Sequence, residues 1–311
     1  MSGRGLVARV TFCALLALTG CAATGPKPGA GPALWVVRSQ SATVYLFGTM
    51  HILPIPVAWE TKTIQNAFSE SSELWTETDV SDLHAVARAY RARGISPDYD
   101  LPAALGAAHW AVFSAELTKC GVAPDKATHM RPWFAGVLFQ ACAAKASPRP
   151  QTTAIGYAAM PDRFLVEQAK TENKSLHYLE PLDSQVAVLV RRPDAEQLPL
   201  LIKQIDARGA APPDPARVKQ RVSVLTAVEI AWAHGNLGPV SARAEAEMQR
   251  QDPAFHDALL THRNQIFVTS IAQTLQRSTT AFVAMGAFHL IGQDSVLDSL
   301  AKLGFTAERI E

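Results

Sequence analysis

What this 311-residue chain lacks removes several classes of function before any motif is read. It has no charge of one dominant sign: 29 Lys and Arg stand against 28 Asp and Glu, a formal net charge of +1. That balance gives no electrostatic case for nucleic acid or for a basic face that binds membranes. It has no apolar run near the roughly 20 residues that cross a bilayer as a helix. It carries no His-Glu-x-x-His, no Gly-x-Ser-x-Gly, no P-loop and no dinucleotide fingerprint. No internal repeat of about 20–50 residues is visible, so a solenoid or propeller is excluded.

Cysteine is scarce, and its four occurrences divide by position. Arg4 and Arg9 precede the apolar stretch Val10–Leu18, which has the length of a signal-peptide core. That stretch ends in Leu18-Thr19-Gly20-Cys21, similar to a bacterial lipobox, in which the Cys becomes the lipidated first residue. The alternatives are an ordinary cleaved signal peptide or a buried apolar helix. The lipobox reading makes residues 1–20 a signal peptide, Cys21 the lipidation site and 21–33 a flexible tether rich in Gly, Pro and Ala. With Ala22 rather than Asp after the Cys, the expected location is the outer membrane, facing the periplasm, held through the lipid anchor alone. Cys13 leaves with the signal. Cys120 and Cys142 remain in an oxidising compartment, either as a disulfide or as two buried thiols on separate helices.

The remainder reads as one α/β domain, 34–311, whose core is 34–82 and 278–311 with a helical middle, 83–277, between them. Leu34–Arg38 and Thr43–Phe47 form a hairpin around Ser39-Gln40-Ser41-Ala42. Helical spacing follows from Trp59 to Ser72, then a strand over Glu73–Asp79. Leu101–Ala115 is Ala-rich and helical, Asp162–Lys170 is amphipathic, and Leu176–Leu179 is a short strand. The chain ends β-α-β: Ala281–Met285, a helix over Ser295–Leu303 capped by Gly304, then Phe305–Ile310. The fold class expected is a mixed sheet built from the N- and C-terminal segments, with a large helical insertion.

Two of these strands end alike. Thr43–Phe47 leads into Gly48-Thr49-Met50-His51, and Thr280–Met285 leads into Gly286-Ala287-Phe288-His289. By composition about 0.5 matches to Gly-x-x-His would arise by chance, so the pattern alone is weak. A third, Gly106-Ala107-Ala108-His109, lies in the Ala-rich helix; His109 is read as a surface or packing residue and Gly106 as ordinary. The outer two share a preceding strand and a following apolar pair, Ile52-Leu53 or Leu290-Ile291. Ligands of open α/β sheets sit beyond the carboxyl ends of strands, where Gly48 and Gly286 would turn the backbone and aim His51 and His289. Each glycine should then need either positive φ or packing too close for a Cβ.

With Glu77, the two histidines would give a His₂-carboxylate set suited to Zn, Mn or Co and an activated water. Arg263 would stabilise an oxyanion or pair with Glu77. Glu180 would supply a second carboxylate or cap a helix, and Asp162 is a further candidate. Trp133 and Trp232 read as core anchors.

These residues resemble the TraB/PrgY/GumN family, which includes the Tiki proteases. The resemblance is carried by Phe47-Gly48-Thr49-Met50-His51, Leu74–Asp79, Arg131-Pro132-Trp133, Leu179-Glu180 with Gln185, Trp232 with Gly235, Arg263-Asn264, and Gly286–Leu290 with Gly292. Departures are Asn236 where Asp is usual, Met160-Pro161-Asp162 for Gly-Val-Asp, and Ser295 for Gly. The resemblance implies a metal-dependent hydrolase architecture with both motif histidines and the post-strand acid at one site. The function expected is peptidase-like hydrolysis of a peptide or small envelope substrate. The alternative is a non-catalytic envelope protein that binds a peptide signal or glycan.

Overall fold

The computed structural model describes residues 31–50, 58–79, 81–146, 161–209 and 228–311. The expected signal peptide, the lipidation site Cys21, nearly all of the tether, and His51 lie outside the described residues. Among those described, no helix is long and apolar enough to cross a membrane.

Six strands form one mixed sheet: β1 (Leu34–Arg38), β2 (Thr43–Thr49), β3 (Glu73–Thr76), β4 (Ser175–Tyr178), β5 (Thr280–Gly286) and β6 (Ala307–Arg309), in the order β4-β3-β5-β2-β1-β6. β1 pairs antiparallel with β2 and with β6. β5 inserts between β2 and β3 and runs parallel to both, and β4 adds parallel to β3. The chain's two ends therefore build the middle of the sheet, as expected. Four parallel strands finish at one edge, and Thr49 pairs with Gly286 across the central ladder.

The charge-free composition of β2 and β5 follows from burial on both faces. Phe47 and Phe282 join Trp59, Phe68 and Trp232 on one side; Leu46, Val283 and Met285 join Phe267 and Leu300 on the other. Burying each Phe fully contributes about 2 kcal/mol. The Trp232 indole N–H donates to the Gly48 carbonyl at 2.8 Å, so this core residue pins Gly48, which lies inside β2 and pairs with Met285 rather than forming the expected turn.

The helical middle has a core of its own. Helices Leu101–Lys119, Pro132–Ala146 and Asp194–Gly209 pack around Phe113, Leu117, Phe139, Leu201 and Ile205. Cys120 and Cys142 are joined as a disulfide, Cα atoms 5.2 Å apart, linking the first two helices.

The structure corrects three readings. The helix around Gly106 is kinked there, with φ 72° and ψ 162°, so Gly106 is not ordinary. Ala-rich composition favours helix on either side but does not report a single left-handed residue. β3 stops at Thr76 and β6 covers only Ala307–Arg309, because pairing ends before the extended pattern does. The helix Val296–Lys302 is capped at Leu303, so Gly304, the expected cap, stands one position past it, at φ 87°.

Candidate functional site

Ending β3 early places Glu77 immediately beyond the strand, and Glu180 stands two residues beyond β4. β5 ends at Gly286 and turns into a short 3-10 segment, Ala287–Leu290, that carries His289. Arg263 comes from a helix, His262–Thr274, entered through one π-helical turn, Asp257–Thr261. Four elements far apart in sequence thus bring their charges to one sheet edge. All four side chains are buried: Glu77 is 7%, Glu180 2%, Arg263 4% and His289 4% exposed.

Arg263 is the hub. Its Nη2 donates to Glu77 Oε2 at 2.6 Å and its Nε to Glu180 Oε1 at 2.7 Å. Its Nη1 reaches the Leu259 carbonyl inside the π turn at 3.3 Å and His289 Nε2 at 3.2 Å. Glu77 Oε1 accepts from the Gly286 backbone N–H at 2.6 Å. Two donors on opposite oxygens fix the carboxylate plane. Burial opposes the charge of Arg263, but Glu77 and Glu180 outweigh it and hold its pKa above the ordinary value. For Glu180 the balance is reversed: burial raises its pKa despite Arg263, and Glu77 adds to the rise. Glu180 Oε2 is buried with no hydrogen-bond partner among the described residues.

His289 Nδ1 lies 2.6 Å from Asn264 Oδ1, and Asn264 Nδ2 donates to the Asp294 carbonyl at 2.9 Å. Sequence reasoning quoted Asn264 for the family resemblance but gave it no place in the site. Nothing in its spacing ties it to a histidine 25 positions on.

A cavity of about 290 Å³ opens beside the cluster, lined by Glu77, Thr78, Asp79, Asp162, Val166 and Tyr178 among others. Of the four clustered residues, Glu77 is the one that lines it. Asp162 sits in the first turn of the helix Pro161–Thr171 and accepts from the Thr49 hydroxyl at 2.6 Å, bridging the helix to the end of β2. Glu180 does not cap the following helix, Leu182–Leu189, whose start has no side-chain cap.

The glycines divide. A Cβ on Gly48 would meet the Ala287 Cα at 3.0 Å, so the two motifs pack closely and a side chain there would have to push the Ala287 backbone aside. Gly286 takes φ −52°, so positive φ is not what it supplies. Its N–H, given to Glu77, is.

The expected metal set reaches the described residues only through Glu77 and His289. Among those residues, no group of three or more His, Cys, Asp or Glu is arranged to hold a metal ion. The guanidinium of Arg263 also stands 3.2 Å from the nitrogen that would be the ligand, and it already balances Glu77. As placed, this pair does not fit a divalent cation.

His109, from the third Gly-x-x-His, binds the Leu105 carbonyl and Asp206, far from this edge in the helical middle. A comparison with curated proteins gives no match. The model of the TraB/PrgY/gumN family matches residues 33–309, which include every element of the sheet and all four clustered residues. The chain belongs to the TraB/PrgY/gumN family.

Proposed function

We propose that the chain is an exported, lipid-anchored hydrolase of peptide-like substrates, held through Cys21 at the outer membrane and facing the periplasm. One observation carries the hydrolase reading: Glu77, at the end of a parallel strand, faces a cavity while Arg263 and the Gly286 N–H fix both its oxygens. A positioned carboxylate at a cavity wall can take a proton from an attacking water. Arg263 supplies the countercharge, and Glu180 and His289 hold Arg263 in place from behind. The cavity volume lies at the low end of small-molecule sites, so it would take a short piece of substrate.

The binding-protein reading has its own support, since Arg263, Glu180 and His289 are buried behind Glu77 rather than lining the cavity. Incubating the mature protein with a peptide library, with chelator or with added Zn, Mn or Co, separates the two. Cleavage in any arm supports the hydrolase, and dependence on cation would restore the expected site of His51 and His289. Saturable peptide binding without cleavage in every arm supports the alternative.

A further inference from the structure

Asn264 and His289 are both buried, at 3% and 4% exposure, and the hydrogen bonds between them and to Asp294 and Arg263 assign the protons at those contacts. The Asp294 carbonyl can only accept, so the end of the Asn264 amide that faces it, at 2.9 Å, must be the NH₂. The other end, 2.6 Å from His289 Nδ1, is then the amide oxygen, which also only accepts. Nδ1 must therefore carry a proton. On the far side of the ring, Nε2 faces Arg263 Nη1 at 3.2 Å. A guanidinium only donates and stays charged, so Nε2 must accept. Glu77 Oε1 lies 3.7 Å from the same nitrogen, beyond hydrogen-bond range. The ring face is fixed by Phe267, with centroids 4.9 Å apart.

The geometry points to Asn264 as a positioning residue that locks His289 in the neutral, Nδ1-protonated tautomer, so that Nε2 receives Arg263 and aims it at Glu77. The anchor of this lock is the Asp294 carbonyl, presented by a residue at φ 58°, in the left-handed region that Asp tolerates. The chain from Asp294 through Asn264 and His289 to Arg263 alternates acceptor and donor without a mismatch. Reversing the Asn264 amide would set carbonyl against carbonyl at one end.

The tautomer can be read without any assay of activity. Long-range ¹H–¹⁵N correlation on mature protein labelled at histidine, at a fixed neutral pH, distinguishes a protonated from an unprotonated ring nitrogen; His289→Gln identifies the resonance. We expect Nδ1 protonated and Nε2 unprotonated in the parent. Asn264→Asp keeps an acceptor at Nδ1, though not the donor to the Asp294 carbonyl, and should keep the Nδ1 proton protected, whereas in Asn264→Leu that proton loses its hydrogen bond and should exchange with water faster. An Nε2-protonated parent, or an Nδ1 proton in Asn264→Leu that exchanges as slowly as in the parent, overturns the inference; the parent spectrum decides even where Asn264→Leu does not fold. The consequence for rate rests on the hydrolase reading: about a 10-fold or greater loss of kcat in Asn264→Leu, and a smaller loss in Asn264→Asp. Failure of that arm with the expected spectra counts against the hydrolase and not against the tautomer.

Discussion

The sheet core and the helical middle solve different problems. In the core, strands from the chain's two ends are buried on both faces, and the charges at the sheet edge converge on one arginine. The middle packs three helices around a smaller apolar cluster, closes it with Cys120–Cys142, and leaves Val137 and Leu200 over 40% exposed. The contrast teaches that precision is concentrated at the strand ends, where Glu77, Glu180 and Gly286 inherit their positions from the parallel ladder. The three-helix cluster of the middle is held by its own apolar core and a covalent link.

The largest expected effect breaks the core. Arg263→Met leaves Glu77 and Glu180 buried without their shared cation, and a loss of about 3–5 kcal/mol is expected in chemical denaturation. Next, Cys120→Ser with Cys142→Ser opens a loop of 22 residues, which the chain-entropy model values at about 3 kcal/mol. Hydrogen exchange should then quicken in 101–146 and leave 280–290 protected; loss of protection in both segments would erase the division between the two regions.

Gly48→Val forces a side chain against Ala287 in the packed core and should cost about 1–3 kcal/mol by thermal melting. Gly106→Ala tests the helical middle. Its Cβ would meet nothing within 4 Å, yet φ 72° with ψ 162° is a conformation held almost only by glycine, so about 1–3 kcal/mol is expected rather than neutrality.

The smallest effects are those of pH, and they differ in sign between the regions. Glu180, in the core, has a pKa raised by burial, so its contribution to stability is full below the unfolded value and is lost as pH rises through the folded one. Glu116, in the middle, is lowered by its hydrogen bond to Arg208, helped by that charge and by Lys119, against burial. Its contribution is present above the unfolded value and is lost as pH falls through the folded one. Denaturation against pH should therefore show Glu180→Gln removing a loss on the rising side, and Glu116→Gln removing a loss on the acid side. Identical profiles for the two variants would show that the regions do not differ electrostatically.

Much of the core was legible because its signals are local. The hairpin and β5 are apolar runs punctuated by turn residues, and burial on both faces leaves that trace in composition. Glu77 was found through the family resemblance of Leu74–Asp79, since the extended pattern itself runs on to Asp79. The grip of Arg263 on Glu77 was visible only as one of two readings, since pairing across 186 positions leaves no local pattern. Asn264 was given no role and Gly106 the wrong one for the same reason: a hydrogen bond to a distant ring and a left-handed residue within a helix are tertiary facts.

The central claim is that Glu77, held by Arg263 and Gly286 at the end of β3, is the reactive group at the cavity. Turnover of a peptide substrate by Glu77→Gln, with its melting temperature measured alongside, tests it most directly. The expected result is a fall of at least about 100-fold in kcat with the folded transition retained. Parent-like turnover in a folded Glu77→Gln protein would contradict it and move the chemistry to other residues.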